Sequence, residues 1–181
     1  MGSSDGDLML QVRRGNLSGL AELFERYHKP LYRYFLHLSG DRDLSEDLAQ
    51  EAFFRVLKHR DTFDARRPFS PWLYQIARNL HMDQMRKRKL ESIPEGHDPA
   101  VNHDADEKLG REQELSLLRR ALDRLPLEKR EVLVLSRFQN MKYEDIAVVL
   151  NCEVGTVKTR VFRAMRALSE SYRELSGAKA V

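Results

Sequence analysis

The chain has 181 residues, 41% of them hydrophobic and 33% charged, with 31 Lys and Arg against 28 Asp and Glu. That is enough for one domain or two small ones, too apolar for a disordered chain, and without a run near the roughly 18 apolar residues of a membrane span. A single cysteine, Cys152, excludes an intrachain disulfide and a multi-cysteine zinc site, and the start Met1-Gly2-Ser3-Ser4-Asp5-Gly6 has no secretory-signal character, so a soluble cytoplasmic protein is expected.

Helix-forming residues with few β-branched clusters predict an all-α chain. In a first module, near residues 7–91, Leu17, Leu20, Ala21, Phe24, Leu31, Phe35 and Leu38 recur at helical spacing. Pro30 is expected to kink that helix or to begin a new one, and Gly40 to end it. Asp43 and Glu46 read as a capping box opening a helix through about Arg60, with Leu44, Leu48, Ala52, Val56 and Leu57 inward. A loop from Asp61 to Phe69 follows. Ser70-Pro71 then places a cap and a first-turn proline ahead of a third helix, whose stripe is Trp72, Leu73, Ile76, Ala77 and Leu80.

Residues 92–112 combine Pro94, Gly96, Pro99 and a run of acids without apolar periodicity, and read as a flexible acidic linker. A second module, residues 113–175, predicts four helices. One runs from about Glu112 to Leu125 and stops at Pro126; the next covers about Leu127 to Phe138 and breaks at Gln139-Asn140. A short third helix starts near Tyr143, and the last extends from about Val154 to Tyr172.

Charge is unevenly placed along these modules. Residues 55–90 carry 10 basic and 3 acidic side chains and residues 153–181 carry 6 and 3, whereas residues 91–114 carry 2 and 8. Basic blocks on helices point to a polyanion, because Lys and Arg that neutralise phosphates release condensed counterions; a merely solvated face is the competing reading.

Tyr143 to Leu150, the turn Asn151-Cys152-Glu153 and the helix from Val154 have the layout of a helix-turn-helix, with Ala147 small enough for close helix contact. At about 100° per residue, Val154, Val157, Val161, Met165 and Leu168 gather on an inner face, and Lys158, Thr159, Phe162, Arg163 and Arg166 on another. Lys and Arg donate to guanine acceptors in the major groove, Thr reaches bases or phosphate, and an outward Phe162 suits a thymine methyl. In the first module Tyr74, Asn79 and the tail Arg86-Lys87-Arg88-Lys89 offer a stacking ring, a base-edge amide and a phosphate track, as a single-strand reader needs. Tyr74 capping the core and Asn79 bonding locally are the ordinary alternatives. Asp47, Gln50, Glu51 and Phe54 make a surface that disfavours DNA and suits a basic protein partner or plain solvation.

Three segments carry a family resemblance: Asp47-Leu48-Ala49-Gln50-Glu51-Ala52-Phe53-Phe54-Arg55-Val56, then Pro68-Phe69-Ser70-Pro71-Trp72-Leu73-Tyr74-Gln75-Ile76-Ala77-Arg78-Asn79, then Tyr143-Glu144-Asp145-Ile146-Ala147 with Val154-Gly155-Thr156-Val157-Lys158-Thr159-Arg160. In order and spacing they resemble the sigma-70 family, and the two-module length resembles its extracytoplasmic-function (ECF, group 4) branch. The resemblance implies two helical domains, sigma domain 2 over residues 7–91 and sigma domain 4 over 113–175, in an RNA polymerase initiation subunit. It implies that Asp47, Gln50, Glu51 and Phe54 dock on the β′ clamp helices of core polymerase and that domain 4 meets the β flap. It further implies that Phe63, Tyr74, Asn79, Arg86 and Arg88 serve the melted minus-10 strand, where a base is flipped into a protein pocket. Lys158, Thr159, Phe162, Arg163 and Arg166 would read the minus-35 duplex, and an anti-sigma factor would restrain the chain. The loop Asp64-Ala65-Arg66-Arg67 is variable in this family, which leaves the flipped base open.

Two other function classes compete. A helix-turn-helix regulator acting without polymerase would use residues 7–91 for sensing or dimerisation, because the motif alone serves many functions. An enzyme would need a site, and the sequence has no Gly-rich phosphate loop or nucleophile motif. His28, His37, His59, His81, His97 and His103 lack the paired spacing of a zinc motif, so no metal, cofactor or catalytic residue is expected.

Overall fold

The computed structural model describes residues 3–91 and 111–177. The expected linker, with His97 and His103, lies outside the described residues except for its last two positions, which are helical. The chain forms two compact units, and among the described residues there is no strand.

In the first unit, Ser4 opens α1 (Asp5–Arg13): its hydroxyl accepts from the Asp7 N–H at 3.2 Å, while the Asp7 carboxylate accepts from the Ser4 N–H at 3.3 Å. The apolar spacing does not predict this helix; Ser4-x-x-Asp7 is its signal. Leu8, Met9 and Val12 are buried against α2 (Ser18–Ser39). That second helix continues through Pro30 rather than restarting there. A helix-interior proline forfeits a hydrogen bond and crowds the preceding turn, but here Leu23, Leu31, Tyr34, Phe35 and Leu38 lie buried on both sides of it and hold the helix as one. Gly40 ends α2 in the left-handed region, φ 71°, with its N–H donating to the Leu36 carbonyl.

The cap of α3 (Arg42–Lys58) is Asp41, whose carboxylate accepts from the Leu44 N–H at 3.0 Å, so the helix starts ahead of the expected Asp43–Glu46 box. A 3-10 turn, Arg60–Thr62, leads to the loop before α4 (Phe69–Glu91), which begins one residue ahead of Ser70. Leu73, Tyr74, Ala77, Leu80 and His81 are buried on its inner face, and α4 packs on α3 and α2.

From residue 111 on, the chain forms α5 (Arg111–Asp123), α6 (Leu127–Leu133) running on into a wide π turn (Val134–Phe138), α7 (Tyr143–Leu150) and α8 (Val154–Ser176). Both α5 and α6 pack on α8. Arg130 reaches back from α6 to the end of α5, where its guanidinium donates to the carbonyls of Asp123 and Leu125. Carbonyls at a helix C-terminus call for partners from outside the helix, and the arginine is one. Burial holds the Arg130 guanidinium below its usual range.

Candidate nucleic-acid interface

On α8, Val157, Val161 and Ala164 are almost fully buried, whereas Lys158, Thr159, Phe162, Arg163 and Arg166 are all exposed, Phe162 at 67%. The outer face expected from the helical wheel is therefore present. On the inner face Val154 and Leu168 are half-buried, and Met165 is 40% exposed while Ala164 takes its position. Counted from Val157, Ala164 falls within about 20° of the stripe and Met165 about 80° off it. The Thr159 hydroxyl donates to the Gly155 carbonyl at 3.1 Å, and Arg166 lies 3.5 Å from the Glu170 carboxylate. Asn151, at φ 49°, makes the left-handed corner between α7 and α8.

In the first unit, Asp47, Gln50, Glu51 and Phe54 share one face of α3 at helical spacing, with Phe54 67% exposed. Glu51 accepts from the Arg55 guanidinium at 2.9 Å. On α4, Asn79 is exposed, as are Arg86, Lys87, Arg88 and Lys89. Arg86 pairs with Asp83, and Arg88 donates to Asp41 at 2.9 Å.

Two of the expected strand-reading residues lie elsewhere than on the surface. Tyr74 is 2% exposed and meets Tyr34 edge-on at 5.2 Å; Phe63 is 2% exposed and sits 5.1 Å from Trp72 and 5.8 Å from Phe69. The reason is periodicity: Tyr74 is three and seven residues from Ala77 and His81, so it belongs to the buried stripe. Burial also pushes its hydroxyl well above the usual phenol range. Both rings are core, supporting the surface around them.

Beside them lies a cavity of about 250 Å³, walled by Arg55, His59 and Thr62 on one side and by Trp72, Gln75, Ile76 and Asn79 of α4 on the other. Residues 72, 75, 76 and 79 are one face of α4, and 55 and 59 are one turn apart on α3. A second cavity, of about 410 Å³, is an apolar groove between α5 and α8 lined by Leu115, Leu118, Met165, Leu168 and Tyr172 with Glu114 and Ser169 at its edge. Among the described residues no three His, Cys, Asp or Glu are placed to hold a metal ion, and no helix is long and apolar enough to cross a membrane.

Residues 23–91 match Sigma-70 region 2, and residues 115–168 match Sigma-70, region 4. The ECF RNA polymerase sigma factor SigW of Bacillus subtilis is 34% identical over 177 residues, covering 91% of this chain and 95% of that protein. The chain belongs to the ECF RNA polymerase sigma factors. Among solved structures, CnrH in complex with the cytosolic domain of CnrY is similar with a TM-score of 0.75 and 25% identity, over 98% of this chain and 100% of that one. The sigma factor RpoE of Bartonella quintana, in complex with the anti-sigma factor NepR, has a TM-score of 0.67 and 28% identity over 88% and 98%.

Within this ECF sigma factor the region 2 match covers α3, the aromatic cluster and α4, and the region 4 match covers the helix-turn-helix and the exposed face of α8. Asn79 is legible in the sequence as a site residue, but Arg55, His59, Thr62, Gln75 and Ile76 around it are not. The i, i+3, i+4, i+7 spacing of 72, 75, 76 and 79 is a signal for one wall. The other wall comes from α3, and no spacing within the sequence announces that the two helices meet there.

Proposed function

We propose that this chain is a transcription initiation subunit that binds core RNA polymerase and directs it to promoters. The exposed face of α8 reads the minus-35 element as duplex through Lys158, Thr159, Phe162, Arg163 and Arg166. The first unit holds the non-template strand of the melted minus-10 element, with Asn79 at its cavity and Arg86 and Arg88 along the phosphates. The observation that carries this reading is the presence, on one chain, of the region 2 and region 4 segments, each bearing its own exposed surface of nucleotide-binding composition.

Two such surfaces are useful together only when something larger sets their separation, and core polymerase fills that role. The α3 face of Asp47, Gln50, Glu51 and Phe54 docks on the β′ clamp helices, and the apolar groove between α5 and α8 suits the β flap. Melting is driven by capture of unstacked bases, with no bond chemistry by this chain. The RpoE relative was solved with an anti-sigma factor, which supports a restraining partner of the same kind here. Such a protein works in the cytoplasm, where the polymerase is.

In vitro transcription with core polymerase on a randomised promoter library tests the proposal. The expected result is polymerase-dependent initiation with sequence selection at two separated elements. Tight binding to a duplex operator by the free chain, with no initiation when core polymerase is added, would instead establish the polymerase-independent regulator.

A further inference from the structure

Sigma-70 region 2 is matched from residue 23 onward, so α1 (Asp5–Arg13) lies ahead of the matched segment. It is nevertheless seated beside the segment that leads into α4. At its start, Gly6 stands close to the chain at Ala65: a Cβ built on it would be 3.5 Å from the Ala65 carbonyl oxygen. At its end, Arg13 lies 3.9 Å from Asp61 in the 3-10 turn. The helix therefore runs alongside the stretch from Asp61 to Ala65. Its first residue is tied to α2 by both carboxylate oxygens. One oxygen of Asp5 accepts from the Tyr27 hydroxyl, and the other accepts from the Arg26 guanidinium at 2.6 Å. Arg26 also donates to the Ser3 carbonyl at 2.8 Å, which fixes the entry to the helix. Tyr27 is half-buried, and its ring meets Phe69 edge-on at 5.3 Å. Phe69 in turn lies 5.8 Å from Phe63 and 5.9 Å from Trp72, which walls the cavity at Asn79. Asp5 thus stands at one end of a line of contacts that passes through Tyr27 and Phe69 to the surface of α4.

We propose that Asp5 is a positioning residue for strand capture: through Tyr27 it fixes the cluster of Phe63, Phe69 and Trp72, and it seats α1 along Asp61–Ala65, so that the melted strand meets a surface already in shape. The inference rests on the reading of the first unit as a reader of single-stranded DNA. Asp5 acts through Tyr27 and not by contact with the strand. A hydroxyl bonded to a carboxylate holds its ring in one place, and the edge-on preference of aromatic pairs passes that position to the next ring. A surface held in its binding shape loses little further freedom when a ligand arrives, so loosening it weakens binding without removing any contact to the ligand. The polymerase-docking face of Asp47, Gln50, Glu51 and Phe54 is on α3, outside this line of contacts, so the two functions can be measured apart.

The test is binding of a fluorescent single-stranded oligonucleotide to holoenzyme assembled from core polymerase and the full chain. The oligonucleotide carries the non-template minus-10 sequence selected from the randomised promoter library, and a scrambled one serves as reference. Asp5→Ala and Tyr27→Phe are each expected to weaken minus-10 binding about fivefold, while affinity for core polymerase stays within about twofold of native. The double variant is expected to lose no more than the weaker-binding single one, because both substitutions remove the same bond. Asp5→Asn, which still accepts from the Tyr27 hydroxyl, is expected to retain part of the binding. Tyr27→Phe keeps its ring against Phe69, so it remains informative even where Asp5→Ala lowers the folded fraction. Native-like minus-10 binding by both single variants would overturn the proposal, as would losses that add in full in the double variant, or an equal loss of core-polymerase affinity in both. A native holoenzyme that binds the scrambled oligonucleotide as tightly as the minus-10 sequence would instead remove the strand-reading function itself, an outcome distinguishable from the others.

Discussion

Arg88, near the end of α4, donates to the carboxylate of Asp41 at 2.9 Å, and the other oxygen of that carboxylate caps α3. The basic tail of one helix is thus tied to the first turn of its neighbour. The Leu44 N–H, and after it the Arg88 guanidinium, hold the Asp41 carboxyl below the usual carboxylate range.

A group whose folded-state value is depressed adds stability above its ordinary value and loses it as pH falls toward the depressed one. Asp41→Ala is therefore expected to cost about 1 kcal/mol at neutral pH, mostly through the lost cap, with the difference from the native protein shrinking below about pH 4. Asp41→Asn, which can still cap, is expected to cost less. Urea denaturation at neutral and acidic pH measures both, and a difference that grows on acidification would contradict the assignment.

Gly19 of α2 lies against the backbone of α1: a Cβ built there would stand 2.6 Å from the Leu8 carbonyl oxygen and 3.3 Å from the Gln11 Cβ. Gly19→Ala is expected to push α1 off its seat at about 1 to 3 kcal/mol, despite the better helix propensity of alanine. Unfolding midpoints and protease cleavage near residue 14 report it; a stabilised variant would mean that the contact is looser than described.

Tyr74→Ala separates a core role from a base-stacking one. Removing a ring that is 2% exposed is expected to cost about 3 to 5 kcal/mol of folding stability. A variant with an unchanged unfolding midpoint and a selective loss of promoter opening would return the ring to the strand-reading surface.

Phe54→Ala addresses the polymerase-docking face. With the side chain 67% exposed in the free chain, stability is expected to change by less than about 0.5 kcal/mol. Affinity for core polymerase is expected to fall by about 1 kcal/mol or more, roughly fivefold. Equal affinity in a competition binding measurement would remove Phe54 from the interface.

On α8, Arg163→Ala and Lys158→Ala are each expected to cost about 1 to 3 kcal/mol with relaxed selection at one minus-35 position, whereas a phosphate contact would weaken all sequences alike and flatten the salt dependence. Initiation from a panel of minus-35 variants at several salt concentrations distinguishes the two. A uniform loss for Arg163→Ala would make it a phosphate contact.

The all-α class, the division into two units and the outward face of α8 could be read directly, because helical periodicity and turn residues act over a few positions and need no partner. Gly40 stops α2 in the left-handed conformation that glycine tolerates, and Lys158, Thr159, Phe162, Arg163 and Arg166 share an exposed face simply because a helix turns about 100° per residue. What tertiary structure decided was anything that depends on two segments meeting. Pro30 sits inside an unbroken helix because burial on both sides of it outweighs its local penalty, and Tyr74 and Phe63 are core because other helices cover them. The cavity joining Arg55 and His59 to Trp72 and Asn79 exists only where α3 and α4 come together. Local propensity is written in neighbouring residues, but burial is a property of distance in space, and only the folded chain sets that distance.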